Sequence, residues 1–241
     1  MILLGVMLGL VSPAGAQDAA ARARQDLAAA LKQHDELTRK VATEEASLIE
    51  AVERLLPDQA EQDEILQTYG IERNGFVLST FHRPENVDDP ATLRSILEAL
   101  RDLNAPVLLP LHPRTQARIV EYDLSDAAGT IRIVDPIGYR DFIGLGASSL
   151  LIVSDSGGVQ EEVSVLMRPS VVVRRSTERQ EVEGTFVTWV VPGPDLVPTL
   201  EAALSTADDR HRELMSVPSP YGDSTSPHQI VDAIRSMVDE A

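Results

Sequence analysis

The sequence predicts a doubly wound α/β domain, a parallel sheet with helices on both faces, preceded by a helical N-terminal segment. Three observations lead there. Short continuous runs of Val, Ile and Leu recur from residue 76 onward, they alternate with stretches of helical period, and each run ends in a polar cluster rich in Gly, His or Arg. Continuous rather than alternating apolar runs describe strands buried on both faces, which is the situation of a parallel sheet between two helical layers.

The elements follow in order. From Asp18 to about Leu56 the chain is rich in Ala, Gln, Glu and Arg, with Leu27, Leu31, Val41, Leu48, Val52 and Leu55 at near-heptad spacing. That pattern reads as a long helix, and Pro57 ends it. "FVLSTFH" (76–82) is the first expected strand. Asp89 then caps a helix with Pro90 in its first turn, and Leu93, Ile96, Leu97 and Leu100 recur on one face. Further strands are expected at 106–112, 130–137, 149–154, 170–175 and 186–191, and a closing helix from Pro227 with Ile230, Ile234, Met237 and Val238 turned inward.

Composition narrows the function. A net charge of −17 and the absence of cysteine argue against nucleic-acid binding, disulfides, thiolate metal sites and a cysteine nucleophile. The five histidines lie too far apart to show a metal-ligand spacing, so no metal is expected. The opening "MILLGVMLGLVSPAGAQ" has the length of a signal peptide but lacks a basic stretch before the apolar run. It is also too short to span a bilayer, which takes about 20 apolar residues. No stable membrane insertion is expected, and the expected location is cytoplasmic, with secretion as the alternative.

Ligands of open parallel sheets bind at the carboxyl ends of the strands. Here every polar cluster falls at such an end: "HRPEN", "HPRT", "DPIGY", "SDSGG" and "RRSTER". In "SDSGGVQEE" (154–162), Gly157 and Gly158 allow a ligand close to the backbone, and the helix that follows points its free N–H groups and positive dipole end at that position. An anion suits it. Taken alone, such a turn is equally the ordinary link from a strand to a helix, and Glu161 and Glu162 are equally the favourable carboxylates of a first helical turn. Arg83, Arg114, Arg174 and Arg179 come from neighbouring loops and add guanidinium groups suited to phosphate oxygens.

In this order the motifs "YGIERNGFVLSTFHRPENVDD", "HPRT", "DPIGYRDF", "SDSGGVQEE", "STER" and "SPYGD" resemble those of the non-hydrolysing UDP-N-acetylglucosamine 2-epimerases, over about Leu48 to Ile234. The resemblance implies the Rossmann-like C-terminal half of a GT-B-type fold, with a UDP-sugar substrate, interconversion of UDP-N-acetylglucosamine and UDP-N-acetylmannosamine, and no cofactor. It implies that Ser156, Gly157 and Gly158 hold the diphosphate, that Glu162 accepts from the ribose hydroxyls, and that Phe142 lines the uracil pocket. His82 would be the catalytic residue, with Arg83, Glu85, Arg114, Arg174 and Arg179 on the substrate. Gln180 stands where the family usually has proline, which puts the Arg179 contact in question. Residues 1–56 would be a helical segment in place of the family's first Rossmann half, and 57–241 the UDP-binding domain. The missing half would carry the carboxylates of proton transfer, so a catalytically inactive UDP-binding module is the alternative reading. A homodimer or a separate N-terminal-half chain would complete the cleft.

Overall fold

The computed structural model describes residues 52–176 and 179–221, together with Lys32. Apart from Lys32, these belong to one compact unit, Ala46–Asp223. Most of the expected 18–56 helix, the closing helix from Pro227, and Thr177 and Glu178 lie outside the described residues. At the edge of the described chain, residues 52–55 are helical and Val52 is fully buried, and the helical conformation stops before Pro57 as expected.

The sheet has six parallel strands: β1 (Val77–Thr80), β2 (Val107–Pro110), β3 (Arg132–Val134), β4 (Leu151–Ser154), β5 (Ser170–Val173) and β6 (Val187–Val190). Their spatial order is β3-β2-β1-β4-β5-β6. All six expected strands are present, each trimmed to the residues that pair. The largest trim is at β3, expected over 130–137, because it is an edge strand whose Arg132 and Ile133 are exposed.

The helices between the strands are α1 (Gln59–Tyr69), α2 (Pro84–Val87), α3 (Pro90–Arg101), α4 (Pro113–Glu121), α5 (Ser125–Ala128), α6 (Tyr139–Ser148), α7 (Gly157–Leu166), α8 (Leu196–Ser205) and α9 (Ala207–Leu214). Side chains alternate across a strand, so successive residues of each run enter different layers. Val77, Leu151, Val153, Val171 and Val173 join Leu93, Ile96, Leu97 and Leu100 of α3, Ile119 of α4 and Leu200 of α8 in one core. Leu78, Leu108, Ile152 and Val172 join Leu66 of α1, Leu145 of α6, Val163 and Leu166 of α7 and Leu214 of α9 in the other. The two cores explain why these strands read as unbroken apolar runs.

Helix α1 lies where apolar periodicity gives no signal, and its ends define it instead. Asp58 and Glu61 form a reciprocal capping box, and Gly70, in the left-handed region at φ 58°, closes the helix. Aspartate 89 caps α3 by accepting from the Thr92 N–H at 2.8 Å, as its sequence context predicts.

The strand order reverses between β1 and β4, where one connection leads toward β2 and the other toward β5. Loops that leave a sheet in opposite directions open a crevice between them, at the carboxyl ends of the strands. That is where "HRPEN" and "SDSGG" meet.

Candidate nucleotide-binding site

The centre of the crevice is Asp155, a fully buried carboxylate directly after β4. It accepts from the backbone N–H groups of His82 (3.1 and 3.2 Å) and Arg83 (2.9 Å) and from Asn86 Nδ2 (3.1 Å). Its Oδ1 also lies 3.2 Å from His82 Nδ1. Arg83 Nε donates to the Asp155 carbonyl at 3.0 Å, and Asn86 Nδ2 donates onward to the Val173 carbonyl at 2.8 Å. The loops after β1, β4 and β5 are thereby joined, and Arg83, Ser156 and Arg174 lie on or beside residues of one hydrogen-bonded network.

The network also orients His82. With Nδ1 against a carboxylate, the tautomer protonated on that nitrogen is the one that suits the site. The His112 ring lies 5.4 Å away, tilted by 39°, and His112 Nδ1 accepts from the Arg114 N–H at 3.2 Å as the cap of α4.

Helix α7 starts one residue further along. Ser156 is its N-cap residue yet makes no side-chain capping bond, unlike Asp58 and Asp89 at α1 and α3. The first N–H groups of a helix have no partner within it, so this end presents donors and a partial positive charge to the crevice. A methyl group added at Gly158 would meet nothing nearer than Ser156 Oγ at 3.8 Å and Glu162 Oε1 at 3.9 Å, so the fold itself leaves room for a side chain there.

Glu161 and Glu162 are both buried, at 7% exposure, and serve different partners. Glu161 forms an ion pair with Arg179. Glu162 Oε1 accepts from the Tyr139 hydroxyl at 3.0 Å, whereas Oε2 is enclosed without a hydrogen-bond partner. Burial pushes the Glu162 carboxyl above the ordinary carboxylate range, the Tyr139 bond acts in the opposite direction, and the Glu161 charge adds to the rise. Burial first, then the Glu162 charge, raises the Tyr139 phenol.

A carboxyl with a raised folded-state pKa stabilises the fold when protonated, and that contribution is lost as the pH rises through the folded value. Glu162→Gln removes the buried charge. Its unfolding midpoint at neutral pH is expected to exceed that of the unmodified chain, with the gap narrowing as the pH falls from about 8 toward about 5. Thermal unfolding across that range checks it; a gap that stays constant with pH would show that the charge is not its origin.

Other expected site residues are placed as follows. Glu85 sits partly exposed in the first turn of α2. Arg174 is buried at 3% exposure just after β5. Arg114 is turned to Asp88, with Nε donating to Oδ1 at 3.2 Å and Nη2 to Oδ2. Arg118 Nε reaches the same Oδ1 at 2.9 Å. These guanidinium groups, the Arg114 hydrogen bond foremost, hold the Asp88 carboxyl below its usual range. Phe142, half-buried, packs against the core under α6.

A cavity of about 660 Å³ opens beside the "DPIGY" segment, lined by Leu111, Val134, Pro136, Ile137, Gly138 and Asp141 among others. Tyr139, the residue after Gly138 in the chain, bonds Glu162 of α7. Among the described residues no group of His, Asp or Glu side chains is arranged to hold a metal ion.

Asp155, Asn86, Tyr139 and His112 stand in or beside the crevice although motif reading did not single them out. All four stand inside quoted motifs, but the partners of the first three lie 23 to 87 positions away in the chain.

A family model described as UDP-N-acetylglucosamine 2-epimerase matches residues 22–235. The chain belongs to this epimerase family. A relative from Pseudomonas aeruginosa, named UDP-2,3-diacetamido-2,3-dideoxy-D-glucuronate 2-epimerase, is 44% identical over 113 residues, 46% of this chain and 31% of the relative. The UDP-N-acetylglucosamine 2-epimerase of Methanocaldococcus jannaschii is 38% identical over 113 residues, 44% of this chain and 31% of the relative. The crystal structure of the Neisseria meningitidis UDP-GlcNAc 2-epimerase bound to UDP-GlcNAc superposes with a TM-score of 0.59 and 26% identity, covering 80% of this chain and 53% of that one. The chain thus spans about a third to a half of the length of these epimerases. Its Rossmann-like sheet is that of a GT-B-type epimerase.

Proposed function

We propose that residues 57–241 bind a uridine diphosphate sugar in the β1–β4 crevice and serve 2-epimerisation of UDP-N-acetylglucosamine to UDP-N-acetylmannosamine. The observation that carries this reading is the start of α7. There an uncapped helix end, a glycine where a methyl group would meet only ordinary van der Waals contacts, and the unpartnered oxygen of a buried glutamate converge within six residues. Under this proposal a diphosphate takes the helix end, a ribose hydroxyl takes Glu162 Oε2, and the base lies toward the "DPIGY" segment and Phe142.

The relatives' names differ in the sugar and agree in the uridine diphosphate, which is the part these residues would hold. In the reaction, the C1–O bond to UDP breaks as the proton leaves C2, giving 2-acetamidoglucal and UDP. UDP then returns to C1 and a proton to the opposite face of C2. Negative charge grows on the departing diphosphate, and donors fixed in advance around it lower that barrier. The α7 amides, Ser156 and Arg83 are such donors, with Arg174 and Arg179 on the adjoining loop. In this reading His82, beside Asp155, carries a proton at the leaving oxygen.

Under the same proposal residues 1–56 stand where the family has its first Rossmann half, the carboxylates acting at C2 come from outside residues 57–241, and a second copy or a separate chain supplies that wall of the cleft. The compartment proposed is the cytoplasm, where nucleotide sugars are handled. Among the described residues no helix is long and apolar enough to cross a membrane.

Titration calorimetry with UDP tests the site, and NMR of UDP-N-acetylglucosamine incubated with the chain tests turnover. Micromolar UDP binding is the expected result, with the manno epimer formed once a second copy or a separate N-terminal-half chain completes the cleft. Binding without turnover would assign the chain a purely nucleotide-holding role, and no heat at millimolar UDP would sink the site.

A further inference from the structure

We propose that Tyr139 is a positioning residue whose hydroxyl fixes the Glu162 carboxylate so that Oε2 faces a ribose hydroxyl, making the pair the element that distinguishes ribonucleotides from deoxyribonucleotides. This rests on the reading of Glu162 as the ribose acceptor.

The two side chains come from different walls of the crevice. Tyr139 opens α6 after β3, and Glu162 lies in α7 after β4. A glutamate has three rotatable side-chain bonds, and a single hydrogen bond to one oxygen removes most of that freedom. Tyr139 makes that bond at 3.0 Å and leaves the other oxygen enclosed and unsatisfied. Enclosing a carboxylate oxygen without a partner is unfavourable for the fold, and a well-packed apolar side chain would avoid it. The arrangement makes sense when a donor from outside the chain completes it, and a sugar hydroxyl is a donor of the right size.

Tyr139 is not a packed core residue, for it is 40% exposed. Nor does the neighbouring carboxylate compete for the task, because Glu161 is paired with Arg179. Adjacent glutamates are thus separated in role, one paired with a neighbouring arginine and one held with an oxygen unsatisfied.

The test is calorimetric titration of the full chain and its Tyr139→Phe, Glu162→Ala and doubly substituted variants with UDP, 2′-deoxy-UDP and 3′-deoxy-UDP. The unmodified chain is expected to prefer UDP over at least one deoxy analogue by about tenfold or more, as suits a hydrogen bond to a charged acceptor. Tyr139→Phe keeps the ring, and it is expected to reduce that preference to about threefold or less through weaker UDP binding, with the deoxy analogue bound as before. The double variant should bind UDP no more weakly than Glu162→Ala alone, because both substitutions break one device.

A Tyr139→Phe chain that keeps the full preference, or that loses affinity for all three nucleotides equally, overturns the proposal and leaves Glu162 in its role. A Glu162→Ala chain with undiminished preference overturns the ribose reading and this proposal together.

Discussion

Gly158→Ala is expected to leave the fold as stable as before, or slightly more stable, and to weaken UDP binding by roughly tenfold to a hundredfold. The stability side follows from Gly158 lying in the first turn of a helix, with nothing within 3.8 Å of the position a methyl group would take. Alanine is the better helix former by about 1 kcal/mol in a helix interior, and in a first turn the gain is smaller but of the same sign. Nothing in the chain therefore requires glycine at 158. The requirement comes from outside it, from a ligand approaching the backbone amides more closely than a side chain permits. Forcing one carbon into such a contact costs about 1–3 kcal/mol, the origin of the predicted loss. Equal UDP affinity in the two chains, with matched unfolding curves, would remove the diphosphate from the start of α7.

Asp155→Ala is expected to lower stability by about 3–5 kcal/mol, enough to unfold a marginal domain. The carboxylate receives two backbone N–H groups and the Asn86 amide in a fully buried position, and faces His82 Nδ1 as well. Alanine leaves those donors enclosed without an acceptor, and each such group costs about 1–3 kcal/mol when stranded. Asp155→Asn keeps one acceptor oxygen but turns an NH2 group toward N–H donors, so an intermediate loss is expected. Urea denaturation measures both, and a change below about 1 kcal/mol for the alanine variant would show that water replaces the carboxylate.

The fold was readable from the sequence because its information is local and repetitive. The runs at Val77, Val107, Leu151 and Ser170 are each buried on two faces, and their unbroken apolar composition reflects it, whereas the edge strand at Val187 leaves Thr188 exposed. Strand order was not readable. That β4 inserts beside β1, with β2 and β3 on the far side, depends on how the chain crosses over between them, which no single segment records.

The candidate site divides in the same way. "SDSGG" and "HRPEN" are recognisable as loops at strand ends, so a place on the ligand-binding edge of the sheet could be expected for each. The behaviour of individual side chains could not. Asp155 reads as an ordinary loop aspartate until its burial is known, and Arg114 reads as a phosphate ligand until Asp88, 26 residues earlier, is found beside it. Glu161 and Glu162 are neighbours of identical chemistry that the helix assigns to different partners, because successive residues turn by about 100°.

The pairing of β1 with β4 also has a temporal side. The contacts from Asp155 to His82 close over 73 residues of chain. During synthesis the segment carrying His82, Arg83 and Asn86 emerges first and must wait, its central strand uncovered, until Leu151–Ser154 clears the ribosome. Contacts between such distant segments form late and slowly. A nascent chain halted before that point would be blind to nucleotide, and vulnerable to proteases and to aggregation through the waiting strand.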